Sequence, residues 1–272
     1  MKGKIRRLIV NFILLILLIV SIIFCVSSGK FNISTSSNED STITSLELPE
    51  ILSEQPQEIA QHVGYTVSFN SDWRIPNWVA YELTAEEVQG VVPRGNDFVP
   101  DPVIASGTPS SDDYKNSGYD RGHMAPAADM KWSEQAMAES FYTSNICPQN
   151  KNLNKGDWKA LEEHVRSIAT KYDHIYIACG PIVAASPKNI GYGHSRIAIP
   201  DAFYKVILRQ NGDSWSAIGF MMPNKAGHKP LKTYVKSVNE LEEITEINFF
   251  VALPDSIEET IENTCNLKDW NL

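Results

Sequence analysis

The chain has 272 residues, 43% hydrophobic and 21% charged. That is enough for one sizeable core, too little for several, and too apolar for a disordered protein. The net charge of −9 argues against tight nucleic-acid binding by bulk charge, and leaves room for a local basic groove only.

The first seven residues, MKGKIRR, are basic, and the run from Leu8 to Ser28 is almost wholly apolar, interrupted by Asn11. A basic flank followed by such a run reads as an export signal, and the run is also long enough to span a bilayer. Residues 1–28 are therefore expected to be a signal peptide or an N-terminal membrane anchor, with the basic end inside. On that reading the remainder is secreted, periplasmic or held outside the cytoplasm, and the membrane is a partner only through this segment. Residues 29–58, rich in Ser, Thr, Asn and acids, read as a flexible polar linker.

From about Ile59 the texture changes. Gly64–Asn70 alternates like a strand and Pro76–Thr84 is another β-rich run, and Thr84 with Glu87 predicts a capped short helix behind them. GDWKALEEHVRSIATKY places Trp158, Leu161, Val165, Ile168 and Tyr172 at helical spacing, with Asp157 as a cap. His174–Pro181, RIAIP, FYKVIL, Ser214–Pro223 and Ile247–Pro254 predict further strands. PLKTYVKSVNELEEIT predicts a second long helix, and SIEETIENTC a short last one. Strands outnumber helices without strict alternation, so the expected class is α+β in one domain, residues 59–272. Cys25 lies in the apolar run. Cys147, Cys179 and Cys265 allow at most one intramolecular disulfide, and no spacing suits zinc; buried free thiols are the simplest reading.

The chemistry concentrates in two segments. GYDRGHMAPAADM sets Asp120, Arg121, Gly122 and His123 in succession. Alone, these residues read as a surface ion pair, a turn and a structural histidine. Downstream, SNICPQNKNLNKGDWKALEEHVR packs Asn145, Gln149, Asn150, Asn152 and Asn154 before a helix on which Glu162 and Arg166, four apart, share a face. A histidine, an oxygen-only metal ligand, an acid and arginines suit phosphodiester hydrolysis. His is an apt base for water near neutral pH. Mg²⁺ can stabilise the leaving oxygen while retaining most of its waters on a single neutral amide oxygen. Arginine forks neutralise phosphate.

DRGHMAP together with SNICPQNKNLNKGDWKALE resembles the DNA/RNA non-specific endonucleases, the ββα-metal (His-Me finger) nucleases that include endonuclease G. NWVAYELT, YIACGPI, IPDAFYKVIL and GFMMPN extend the likeness over roughly 60–255. The resemblance implies a central mixed or antiparallel β-sheet flanked by helices. It also implies a Mg²⁺-dependent endonuclease (Mn²⁺ as a substitute) that cuts DNA and RNA with little sequence preference and leaves 5′-phosphates. Carried residue by residue, His123 matches the general base, Asn154 the metal ligand, and Glu162 the acid that orients water at the metal. Asn145 matches a supporting amide and Arg121 the arginine of the tetrad. Arg166 matches a phosphate-side arginine, and Arg94, in VVPRGNDF, an upstream phosphate contact. Asp120 is expected to orient the turn.

Cys147 departs from the small polar residue common beside this site and reads as a packing or redox-sensitive thiol. Lys151, Lys155 and Lys159 read either as part of a basic groove or as a solvated helix face. His194, in GYGHSR, reads as loop structure. Two other functions fit the same scaffold: a nucleic-acid-binding or uptake protein without catalysis, and a phosphodiesterase for other substrates.

Overall fold

The computed structural model describes residues 45–272. In chain order the strands are β1 (Glu50–Ile51), β2 (Glu58–Gln61), β3 (Thr66–Asn70), β4 (Ile75–Thr84), β5 (Asp120–His123), β6 (Ile146–Gln149), β7 (His174–Ile182), β8 (Asn189–Ile190), β9 (Ile197–Ala198), β10 (Ala202–Asn211), β11 (Ser214–Pro223), β12 (Val235–Lys236) and β13 (Ile247–Asn248). The helices are α1 (Ala85–Val88), α2 (Glu134–Glu139), α3 (Lys151–Lys155), α4 (Asp157–Tyr172), α5 (Val238–Thr245) and α6 (Asp255–Glu262).

Seven strands form an antiparallel sheet in the order β12-β11-β10-β7-β4-β3-β2. Strand periodicity sorts their side chains between two cores. Val79, Tyr81 and Leu83 of β4, Ile175, Ile177 and Cys179 of β7, and Phe203 and Ile207 of β10 face one core, which α4 enters with Trp158, Leu161, Val165 and Ile168. Trp78, Ala80, Ala178, Tyr204, Val206 and Leu208 face the other, closed by Val238 and Leu241 of α5 and Ile261 of α6. Lys205 lies between Tyr204 and Val206 in β10, fully buried among the residues of the α4 side. β5 and β6 form a separate two-stranded ribbon.

Several sequence expectations change. Thr84 and Glu87 do form a capping box on α1. Asp157, expected to cap α4, is its first residue instead, and its carboxylate accepts from the Tyr234 hydroxyl at 2.5 Å and the Lys229 N–H at 3.3 Å. The helix expected from Pro230 begins only at Val238, because Ser237 and Glu240 form a capping box there and a short 3₁₀ turn and β12 precede it. The expected strand Ile247–Pro254 stops after Asn248; Phe250 takes φ 60° and turns the chain so that Phe249 and Phe250 are both fully buried. Apolar content alone does not distinguish a strand from a buried turn.

The expected linker is shorter than 29–58. Leu46 is 2% exposed in the α5–α6 core and β1 pairs with β13, so residues from 45 onward lie on the fold. The transmembrane, signal-peptide, membrane-partner and export expectations are corrected: no helix among the described residues is long and apolar enough to cross a membrane. Residues 1–28, on which those expectations rested, lie outside the described residues. The three described cysteines are free, with Cys147 and Cys179 buried; burial pushes both thiols up.

One carboxylate cluster gives a stability prediction. Glu262 on α6 is 5% exposed, and neither its Oε1 nor that of Glu258 has a hydrogen-bond partner among the described residues. Burial, then the charges of Glu242 and Glu258, push Glu262 up to about 8. Between its ordinary value and about 8 the folded state binds more protons than the unfolded, so stability falls as pH rises through that window. Glu262→Gln is expected to raise the melting temperature by ~2–4 °C above pH 8, the shift that ~1 kcal/mol gives a domain of this size, and to leave it unchanged below pH 4.5. Thermal melts at the two ends check this; an equal shift at both would rule out ionisation as the cause.

Candidate active site

The ribbon is set by a close approach. Gly122 of β5 pairs with Cys147 of β6, and a Cβ on Gly122 would stand 2.6 Å from the Cβ of Gln149. Only glycine fits there, so the tetrad is a strand rather than the turn its composition suggested. β6 runs into Asn150, whose side chain caps α3 by accepting from Asn152 N (3.0 Å) and Leu153 N (3.3 Å). Gly156 then joins α3 to α4 where a Cβ would meet the Asn152 carbonyl at 2.5 Å.

This frame brings Asn154 onto β5. Its Nδ2 donates to Asp120 Oδ2 at 3.1 Å. An ionised carboxylate only accepts, so the amide nitrogen is committed to Asp120 and Oδ1 is left for another partner. Asp120, expected to orient a turn, orients Asn154 instead. Phe98, Tyr114, Tyr119, Asp120, Arg121 and Asn154 line a cleft of ≈ 250 Å³. One amide oxygen fixed from behind suits a hard cation that keeps most of its own waters. Among the described residues no group of three or more His, Cys, Asp or Glu is placed to hold a metal.

His123 ends β5, 8% exposed. Phe141 meets its ring edge-on at 5.0 Å and Phe98 lies at 5.4 Å. Arg121 sits over Phe98 at 4.3 Å and Arg94 over Phe141 at 5.2 Å. The His123 Nε2 is buried without a hydrogen-bond partner among the described residues. Burial, then the charges of Arg94 and Arg121, lower its pKa to about 3. The imidazole is thus neutral at neutral pH. Phe98 belongs to both places, packing on His123 and lining the Asn154 cleft.

Glu162 is half-buried on α4, two turns beyond Asn154. Burial pushes it up to about 7; Lys205 opposes the rise, Asp129 adds to it, and Arg166 and Arg94 oppose it. Arg166 donates one Nη1 hydrogen bond to Asp129 Oδ1 at 2.8 Å. Asp129 is fully buried and also accepts from the Tyr81 hydroxyl at 2.9 Å. Asn145, grouped with the catalytic residues, is a staple: its Oδ1 accepts from Ala125 N, and its Nδ2 donates to the Ala125 and Ser140 carbonyls, each at 2.9 Å. Fully buried, it fixes the chain just after His123. Cys147 packs at 0% exposure. Lys159 is on a solvated face, 3.5 Å from Glu163.

Sequence reasoning missed Phe98, Phe141, Asp129 and Lys205. Lys205 had a signal, as the one charge in the apolar run FYKVIL. Its Nζ lies over the Trp158 and Tyr81 rings at 5.3 and 5.6 Å and reaches the Met124 carbonyl at 3.5 Å.

The profile of the DNA/RNA non-specific endonuclease family matches residues 48–256. The mitochondrial nuclease EXOG of Mus musculus is 34% identical over 231 residues, 79% of this chain and 62% of that protein. The mitochondrial endonuclease G of Homo sapiens is 30% identical, covering 71% of this chain and 69% of that protein. The chain thus spans about three fifths of the length of the EXOG relative. A solved structure described as the EndoG/EndoGI complex superposes with TM-score 0.67 at 30% identity, covering 74% of this chain and 89% of that one. With the sheet, the β5–β6 ribbon and α3 in the arrangement described, the chain belongs to the DNA/RNA non-specific endonuclease family.

Proposed function

We propose that this protein is a Mg²⁺-dependent endonuclease that hydrolyses phosphodiester bonds of DNA and RNA with little sequence preference. The observation that carries the reading is a neutral His123 with two guanidiniums near it, on the strand whose Asp120 accepts from the Asn154 amide nitrogen.

Hydrolysis needs a base for water, and a neutral imidazole can take that proton. Arg121 and exposed Arg94 neutralise the phosphate. Glu162, once ionised, accepts hydrogen bonds from water on the α4 side. Asn154 would hold the divalent ion, which when bound supplies charge stabilisation to the departing 3′-oxygen. Arg166, Asp129 and Asn145 keep these groups in place. Such a site touches phosphates rather than base edges, which accounts for weak sequence preference.

The test is cleavage of supercoiled plasmid and of RNA by the purified protein. Mg²⁺ or Mn²⁺ is expected to support cutting to products with 5′-phosphate ends, and EDTA to abolish it. Full activity in EDTA would exclude the metal-assisted mechanism. Binding without cleavage would leave a nucleic-acid-binding protein on a nuclease scaffold, and cleavage of a chromogenic diester alone would point to another substrate.

A further inference from the structure

A hairpin that the site above does not use stands beside it. β8 and β9 pair Asn189 with Ala198 and Ile190 with Ile197, and the turn between them reads Gly191-Tyr192-Gly193-His194-Ser195-Arg196. Gly191 and Gly193 take φ 73° and 58°, and a Cβ on Gly191 would collide with the Ser195 carbonyl. The glycines therefore permit a tight turn that other residues would strain. Between them Tyr192 is 93% exposed, more than any other large apolar side chain described. An aromatic ring displayed this way contributes nothing to the core.

The hairpin is tied to the turn between β3 and β4. The Arg74 Nη1 donates to the His194 carbonyl at 2.8 Å, and Ala198 N donates to the Trp73 carbonyl at 3.0 Å. Asn224 clamps the hairpin's root to the active-site ribbon: its Nδ2 donates to the carbonyls of Pro200 (2.9 Å) and Pro148 (3.1 Å), and its Oδ1 accepts from Asn150 N at 2.7 Å. Pro148 lies opposite Arg121 in the ribbon, and Asn150 caps the helix that bears Asn154. Burial pushes the Tyr114 phenol, in the cleft wall, well up, while Arg74 and Arg121 both act against that rise. Lys188, His194 and Arg196 are exposed on the hairpin. In a chain of net charge −9, Lys188 and Arg196 make this a local cationic stretch with an aromatic tip.

We infer that the Gly191–Arg196 hairpin is a binding subsite for single-stranded nucleic acid, where Tyr192 stacks on an unpaired base and Arg196 contacts the backbone beside the cleft. Every base has a π-face, so a stacking platform flanked by cations binds single strands without reading sequence. An intact duplex keeps its bases stacked on each other and cannot use the ring in this way. The inference rests on the nuclease reading for its substrate class.

The test is fluorescence anisotropy of a labelled single-stranded oligonucleotide and of its duplex, with the full chain in EDTA, followed by steady-state cleavage in Mg²⁺. Tyr192→Ala is expected to weaken single-strand binding at least ~5-fold, the lower end of what one stacked base supplies, and to raise KM with kcat unchanged. Tyr192→Phe should behave as wild type because the ring suffices. Arg196→Ala should weaken binding and flatten its salt dependence. Unchanged single-strand affinity in Tyr192→Ala, or an equal loss on the duplex, overturns the stacking role. Wild-type protein that binds but does not cut sinks the catalytic reading alone; wild type that does neither sinks both.

Discussion

Replacing His123 by alanine is expected to lower the rate of plasmid cleavage in Mg²⁺ at least ~100-fold, the scale of a lost general base. The ring is the one site group held neutral by burial and two neighbouring guanidiniums, with a pKa of about 3. Its own titration therefore lies far below the working range. The acid limb of the rate should instead follow Glu162, which burial pushes up to about 7. Cleavage is expected to rise as pH climbs through that value, as the carboxylate gains its charge. Because His123 packs against Phe98 and Phe141, the alanine variant also loses apolar contacts, so its melting temperature must be followed alongside. A folded His123→Ala protein with wild-type rates would remove the imidazole from the mechanism.

The second large effect is expected at Asn154 and Asp120. Asn154→Ala removes the amide oxygen proposed to hold the cation, and cleavage should fall at least as far as in the Asp120 variant at every Mg²⁺ concentration. Asp120→Ala leaves that oxygen in place but frees the amide held at 3.1 Å. Loss of such an outer partner typically costs ~10–100-fold in metal affinity or activity. In Asp120→Ala the loss should be greatest at limiting Mg²⁺ and recover as Mg²⁺ is raised, whereas Asn154→Ala should not recover. Cleavage rates across a Mg²⁺ titration separate the two. An Asp120→Ala protein with an unaltered Mg²⁺ dependence would show that Asn154 needs no such orientation.

The two variants together explain why the tetrad's acid sits where it does. Residue 120 and residue 154 belong to different blocks of sequence, and only the ribbon joins them. The same holds for the fully buried Asp129, which accepts a hydrogen bond from the Arg166 guanidinium across the fold. Arg166 thus contributes to the position of α4 and, through its charge, to the ionisation of Glu162.

Local signals settled a good deal of this protein in advance. Alternation marked β3, apolar β-rich runs marked β4, β7, β10 and β11, helical spacing marked α4, and Thr84 with Glu87 marked α1, because each depends on near neighbours and backbone geometry. The paired blocks around His123 and Asn154 carried the family. What lay beyond sequence was decided by contacts between distant segments. Gly122 makes the tetrad a strand because Gln149 crowds it, Asn145 is a staple because the Ala125 and Ser140 backbones surround it, and Phe250 turns at positive φ to reach the core. Whether a polar side chain faces substrate or a buried partner depends on what packs against it, and that choice is made only when the sheet, ribbon and helices close around it.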